Sequence, residues 1–390
     1  MRIGLICRSA DNFASRPLLR LAEDISVQNG ECFIFVGEGG RLPSGKPQPF
    51  FSFLTAVNGR IRPVKVAVQK LPAVQVFTVA AEDEFAFAAA VAATCRRLLL
   101  AKKRIDWLHC FAAGDVTAAV LCRKYLRIPF VFSVNSVTGC RQPKKDLASL
   151  GISFNHSLTF GEYVFLEQLG ASGAEYVCDE TGDARYWRLF FAAYGSKYVE
   201  GRPWADTAFW SERQNKTRRQ RKEELQASLG TNKPVVVACQ RVPPPELAEL
   251  HKDCCFLKDD GSPQKRRAVY QAADFYLAGE EESPWRLPGI MAAGCIPLAA
   301  AKSPAGRFLQ RLSGGGIACF FAEENLYDAL LQAKKELLTR PEKAAVRRQR
   351  AVMLVQKECS PAAAAECYSL IYQGFAPVRL PFVTDSQTPD

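Results

Sequence analysis

Histidine is scarce in this chain of 390 residues. There are three, His109, His156 and His251, and methionine is as rare. The fourteen cysteines include no C-x-x-C pair. The thiolate and imidazole spacings of structural zinc sites are therefore missing, and no metal is expected. No apolar run approaches the roughly 18–20 residues of a membrane span. The opening MRIGLIC meets the charged RSADN after a very short apolar run, which suits a first β-strand better than a signal peptide. Cysteines such as Cys7, Cys32, Cys110, Cys122, Cys178, Cys239 and Cys319 lie inside apolar runs, where the residue acts as a small hydrophobe. With that much core a disulfide framework is not expected, and a reducing, cytoplasmic compartment is.

What is present is an ordinary globular composition, 48% apolar and 23% charged, in a chain long enough for two domains. The net charge of +11 sits partly in RQNKTRRQRK (Arg213 to Lys222) and partly in Arg347, Arg348 and Arg350. No aromatic interleaving or nucleic-acid motif accompanies these runs. Solvated helix faces are the favoured reading, nucleic acid is not expected as a partner, and a basic cleft for a phosphorylated ligand is a further option.

Along the first half, strand and helix patterns alternate. Strands are predicted at Ile3–Cys7, Cys32–Val36, Val74–Val79, Trp107–Phe111, Phe130–Val134 and Glu175–Cys178. Helices are predicted at Ser15–Val27, Phe85–Leu100 and Asp115–Tyr125, with a loop over Gly37–Asn58 and an edge strand at Arg62–Gln69. A charged helix, Arg218–Leu229, stops at Gly230. A second series of strands then follows at Pro234–Cys239, Cys255–Lys258, Asp274–Ala278, Ile296–Ala300 and Ile317–Phe321, before a helical tail at Asn325–Thr339, Glu342–Lys357 and Pro361–Tyr372. Alternation of this kind predicts doubly wound parallel sheets. The stretch Ala272–Leu298 adds an acidic turn and a short helix ending at Gly294, the arrangement by which such a sheet presents a helix N-terminus to an anion.

Several segments in order resemble the bacterial glycogen synthases and plant starch synthases. MRIGLICRSADNFASRPLL is similar to that family's first strand and loop, with Phe13 and Ala14 in the Phe-Ala place. GSKYVEGRPWAD resembles G-I-D-x-x-x-W-N-P-x-x-D, with Gly195, Pro203 and Asp206 in register. RRQRKEELQASLG, VVVACQRV and QAADFYLAG resemble the next three motifs, and SPAAAAECYSLIY the final helix, with Ala365, Tyr368 and Tyr372 matching. The resemblance implies an α/β chain of GT-B fold, two Rossmann-like domains with parallel sheets facing across a cleft. Residues 1–230 would form the acceptor-side domain and 231–357 the nucleotide-sugar side, with a helix in 358–375 returning to the first domain.

The family's chemistry needs cations on the departing nucleotide diphosphate, because that group gains negative charge as the glycosidic bond breaks. The departures fall on those positions. The K-T-G-G-L loop reads Ser15, Arg16, Pro17, Leu18, Leu19, so Arg16 is the one cation left and Pro17 has no N–H to offer. In H-x-H-D-W-H-T only His109 persists; Phe111 and Gly114 take the later histidine places. A lone histidine at a strand end reads more readily as structural. Asn135 replaces another histidine. Of the R-x-x-x-x-K pair Arg241 remains, while the lysine has become Glu246, which is repulsive beside a phosphate. At E-P-C-G-L the acid is Glu281 or Glu282, depending on the anchor, and Trp285 or Arg286 stands at the glycine. The T-G-G-L loop reads Lys302, Ser303, Pro304, Ala305.

By this resemblance Glu281 or Glu282 would meet the sugar. Arg16, His109, Asn135, Arg241, Arg286, Lys302 and Ser303 would line the nucleotide-sugar site. The reaction would retain configuration without metal or cofactor, passing a sugar, glucose by resemblance, from ADP-glucose or UDP-glucose to a glucan acceptor. The alternative is a catalytically silent GT-B protein that binds carbohydrate, scaffolds or regulates a protein partner.

Overall fold

The computed structural model describes residues 1–8, 15–37, 48–57, 60–81, 83–134, 160–180, 192–201, 203–211, 217–240, 248–259, 262–279, 282, 284–313, 320–322 and 326–375. By packing, the chain divides into two units, Met1–Arg202 with Ala364–Asp390, and Pro203–Ala363.

The first unit runs β1 (Ile3–Cys7), α1 (Ser15–Asn29), β2 (Cys32–Gly37), β3 (Gln48–Val57), β4 (Arg60–Lys70), β5 (Val74–Ala80), α2 (Glu84–Leu100), β6 (Trp107–Cys110), α3 (Val116–Leu126), β7 (Phe130–Val134), α4 (Phe160–Gly173), β8 (Tyr176–Asp179) and β9 (Tyr198–Glu200). Its nine strands lie in the order β3-β4-β5-β2-β1-β6-β7-β8-β9. From β5 to β9 all pairings are parallel. Strands β1 and β7 are buried along their whole length, which is why they read as continuous apolar runs.

Two expectations are corrected here. The predicted loop over Gly37–Asn58 contains β3, and the predicted edge strand is interior, because β4 pairs antiparallel with both β3 and β5. The Gly- and Pro-rich residues before β3 masked the aromatic alternation of FFSF, in which Phe51 and Phe53 pack against the core. The sheet is therefore parallel in its body with an antiparallel extension.

The second unit contains α5 (Thr207–Ser211), α6 (Arg218–Ser228), β10 (Val235–Cys239), α7 (Ala248–Asp253), β11 (Cys254–Lys258), α8 (Pro263–Ala272), β12 (Phe275–Leu277), α9 (Leu287–Ala292), β13 (Ile296–Ala300), α10 (Pro304–Ser313), β14 (Phe320–Ala322), α11 (Leu326–Thr339) and α12 (Pro341–Glu358). The final helix, α13 (Pro361–Tyr372), reaches from this unit into the first. The five strands are all parallel, in the order β11-β10-β12-β13-β14.

The division at Arg202/Pro203 places residues before Gly230 in the second unit, and side-chain contacts explain it. A Cβ on Gly289 would lie 2.8 Å from the Trp210 indole, so α5 packs flush on α9. Arg267 Nη1 donates to the Phe209 carbonyl (3.0 Å) and Gln271 Nε2 to that of Trp210 (2.7 Å). Helix α6 opens with a Thr217/Gln220 capping box and sends Lys222 to Asp274, 2.6 Å away. The basic run is thus partly spent in ion pairs; residues 212–216 lie outside the described residues. Among the described residues no helix is long and apolar enough to cross a membrane.

Candidate functional site

In an open parallel sheet the ligand crevice lies beyond the carboxyl ends of the strands, where the order reverses. In the second unit that point is between β10 and β12. Asp259 follows β11 directly and its amide donates to the Cys239 carbonyl at the end of β10, 2.9 Å. Glu282 belongs to the acidic turn after β12, where Gly279 N–H donates to its Oε2 at 2.9 Å and the Tyr276 hydroxyl donates to its Oε1. Arg286 closes the group, with Nη1 at 3.2 and 3.1 Å from the two Asp259 oxygens. Tyr270 also donates to Asp259.

Two carboxyls, two phenols and one guanidinium thus meet at the carboxyl end of this sheet. Burial pushes the Glu282 carboxyl up to about 7, against the lowering effect of Tyr276, Gly279 and Arg286. Burial opposes the charge on Arg286, but Asp259 and the neighbouring Tyr276 and Tyr270 more than offset it, and the guanidinium is held charged. The acid turn feeds α9 through a 3₁₀ turn, Pro284–Arg286, and every residue of α9 is buried. Trp285 packs edge-on against buried Trp204, ring centroids 6.2 Å apart. The start of α9 is therefore walled by Trp285 and by an Arg286 turned toward Asp259.

Lys302 and Ser303 follow β13 at the same end of the sheet. Lys302 is exposed. Ser303 Oγ donates to the Ala300 carbonyl (2.7 Å) and accepts from Gly306 N–H (2.9 Å), which makes it the N-cap of α10. Ser303→Ala is expected to cost about 1 kcal/mol in a urea titration, the ordinary value of a lost cap. An unchanged midpoint would show that the cap adds nothing.

His109 lies in the other unit, at the end of β6, fully buried. Its Nδ1 is 2.6 Å from the Tyr372 hydroxyl and its Nε2 is 2.8 Å from Ser133 Oγ. Ser133 in turn donates to Glu180 Oε1, 2.9 Å, as does Tyr368. Because the Ser133 proton goes to Glu180, Nε2 carries the imidazole proton and Nδ1 accepts from Tyr372. Burial lowers the imidazole to about 3, so it stays neutral, stacked on Phe111 at 4.4 Å. Burial likewise pushes the Glu180 carboxyl up to about 8. Together with Asn29 Nδ2 donating to Ser369 Oγ (2.6 Å), this network seats α13 on the first sheet.

Arg16 lies on the first turn of α1, with its side chain outside the described residues; Asn135, Arg241 and Glu281 also lie outside them. Glu282, Arg286, Lys302 and Ser303 share one end of one sheet, whereas His109 belongs to the other unit. Sequence reasoning missed Asp259 and Asp115. Asp259 was signalled only by the acidic pair closing CCFLKDD. Asp115 is buried near the reversal between β1 and β6, accepts from Arg8 N–H at 2.8 Å, and is pushed up to about 7 by burial.

No family model matches the chain, and no curated protein matches it by sequence. Solved structures do match by shape. The catalytic domain of starch synthase IV from Arabidopsis thaliana, bound to ADP and acarbose, superposes with a TM-score of 0.65 at 13% identity, covering 96% of this chain and 99% of that one. Sucrose-phosphate synthase from Thermosynechococcus elongatus gives 0.58 at 11% identity, over 96% and 98%. Anabaena HepE in complex with UDP-glucose gives 0.57 at 13%, over 96% and 100%. Two α/β units in this chain order, matched almost end to end by these structures, identify the architecture: the chain has the GT-B fold.

Proposed function

We propose that the chain is a glycosyltransferase that draws a sugar from a nucleotide sugar of the ADP-glucose or UDP-glucose type and passes it to a glucan-type acceptor. The observation that carries the reading is the Glu282–Arg286–Asp259 group at the strand reversal of the second sheet, with Glu282 buried and its carboxyl raised to about 7. A group poised near neutrality at a ligand crevice is typical of working sites. The full-length likeness to a starch synthase that holds ADP and acarbose supports the same class of donor and acceptor. In this reading residues 231–357 supply the nucleotide-sugar side, with Arg241 and Lys302 as cations toward the diphosphate and Glu281 or Glu282 toward the sugar. Residues 1–230 supply the acceptor side, with Arg16 and Asn135 assigned to the nucleotide sugar and His109, fully buried, to the seating of α13. Incubation with radiolabelled ADP-glucose or UDP-glucose and a glucan primer is expected to incorporate label into the glucan. No incorporation from any common nucleotide sugar would remove the reading.

A second reading is favoured by one specific observation. Glu282, Arg286, His109 and Ser303 are all engaged by partners of their own unit. A silent GT-B protein that binds carbohydrate or a protein partner has no need to free them. Calorimetry separates the two, since saturable binding of oligosaccharide without turnover belongs to the silent protein.

A further inference from the structure

At the opposite end of the second sheet lies a cavity of about 350 Å3. That volume falls in the range of small-molecule sites. It sits where the strands begin: Gly294, two residues before β13, lines it, and its Arg348 approaches Asp274, one residue before β12. Three guanidiniums converge there, Arg218 and Arg221 from α6 and Arg348 from α12, beside Gln271 and Gln349. Among the described residues no carboxylate lines the cavity.

The arginines are oriented. Arg218 Nη1 donates to the Gly294 carbonyl at 2.8 Å, and Arg221 Nη1 donates to Gln271 Oε1. Arg348 Nη2 is 3.8 Å from Asp274 Oδ1, but that carboxylate is already held by Lys222 at 2.6 Å. Arg348 Nε is buried and has no hydrogen-bond partner among the described residues. Gly294 has φ +83, and a Cβ there would lie 3.5 Å from both Arg218 Nη1 and Arg348 Cδ, so the two arginines approach each other over bare backbone. Bringing three guanidiniums together at a partly buried place costs electrostatic energy. A bound anion offsets it, and the planar fork of guanidinium is shaped for phosphate oxygens.

We propose that this cavity binds a small phosphorylated metabolite, with its phosphate taken by Arg218, Arg221 and Arg348. A walled cavity suits a small molecule, whereas a single-stranded nucleic acid needs an extended groove with stacking aromatics, and no aromatic lines this one among the described residues.

The test uses the full chain, with pyrophosphate and inorganic phosphate as probes and ionic strength held constant with chloride. Pyrophosphate is expected to raise Tm and to bind saturably in calorimetry. R348Q and R221Q should each weaken it by about 10-fold or more, the loss expected for a charge-assisted contact. R219Q removes the same charge from an 88% exposed side chain of the same helix and should leave binding unchanged. Absence of saturable binding by the parent, or equal weakening in R219Q, would overturn the proposal. So would tighter, Arg348-dependent binding of a single-stranded oligonucleotide. If R348Q fails to fold by circular dichroism, R221Q against R219Q decides the matter.

Discussion

Asp259→Ala is expected to destabilise the second unit by about 3–5 kcal/mol, the usual cost of stranding one partner of a buried ion pair. Asp259 is 4% exposed and accepts from Arg286 and Tyr270. Without it, a guanidinium only 21% exposed keeps its charge and loses its counter-ion, while the Tyr270 hydroxyl loses its acceptor. Removing both charges together is a different experiment. Asp259→Leu with Arg286→Met leaves no uncompensated ion and should recover most of the loss. Urea denaturation followed by tryptophan fluorescence reads this directly, since Trp204, Trp210 and Trp285 all belong to this unit. A single variant within about 1 kcal/mol of the parent would mean that the pair behaves like a surface contact and does not hold the acidic turn.

The second large effect is an unusual dependence on pH. Glu180 is raised from an ordinary 4.5 to about 8 in the folded chain. The unfolded chain releases this proton near 4.5 while the folded chain keeps it, so stability falls as pH rises from about 4.5 to about 8. The contribution is full below the lower value, and its loss over the window is worth roughly 3 kcal/mol or more by linkage. The groups facing Glu180 are Ser133 and Cys178 from the sheet, Asp179 beside it, and Tyr368 from α13. His109, lowered from 6.5 to about 3, acts in the other direction: its contribution is present above 6.5 and lost as pH falls toward 3. Asp115 and Glu282, both raised to about 7, reinforce Glu180 only up to that pH. Between pH 7 and 8 the falling slope therefore belongs to Glu180. Glu180→Gln should flatten it and match or exceed the parent in stability at pH 8. Thermal melts of both proteins across pH 5–9 measure this, and parallel curves would show that Glu180 is ionised in the fold.

Much of the fold is legible in the sequence. IGLIC, WLHC and VVVAC could only be buried parallel strands, because an apolar run that short and that continuous has nowhere else to place both faces. The alternation with helices gave the doubly wound pattern, and Gly230 and Gly294 marked helix ends that the structure confirms with φ +61 and +83. Strand β3 was hidden, because its pairing with β4 is a contact between segments whose local composition reads as a loop. The division at Arg202/Pro203 is not legible in the sequence for a related reason: the packing of Trp210 on Gly289 joins residues 79 positions apart in number.

The site divides along the same line. Local sequence contained the acids of the turn, the lone His109 and the replacement of small residues by Trp285 and Arg286. It held no information on what those side chains would face. Charge and hydrogen-bonding partners are chosen by proximity across strands, not by spacing along the chain. That is why Arg286 found Asp259 and His109 found Tyr372, 263 residues away. Residue types and periodicity sufficed for two α/β sheets with an acid-bearing turn after β12. Tertiary packing alone decided that the turn is pinned by Asp259, that His109 is held neutral beneath the last helix, and that Arg218, Arg221 and Arg348 line one cavity at the other end of the sheet.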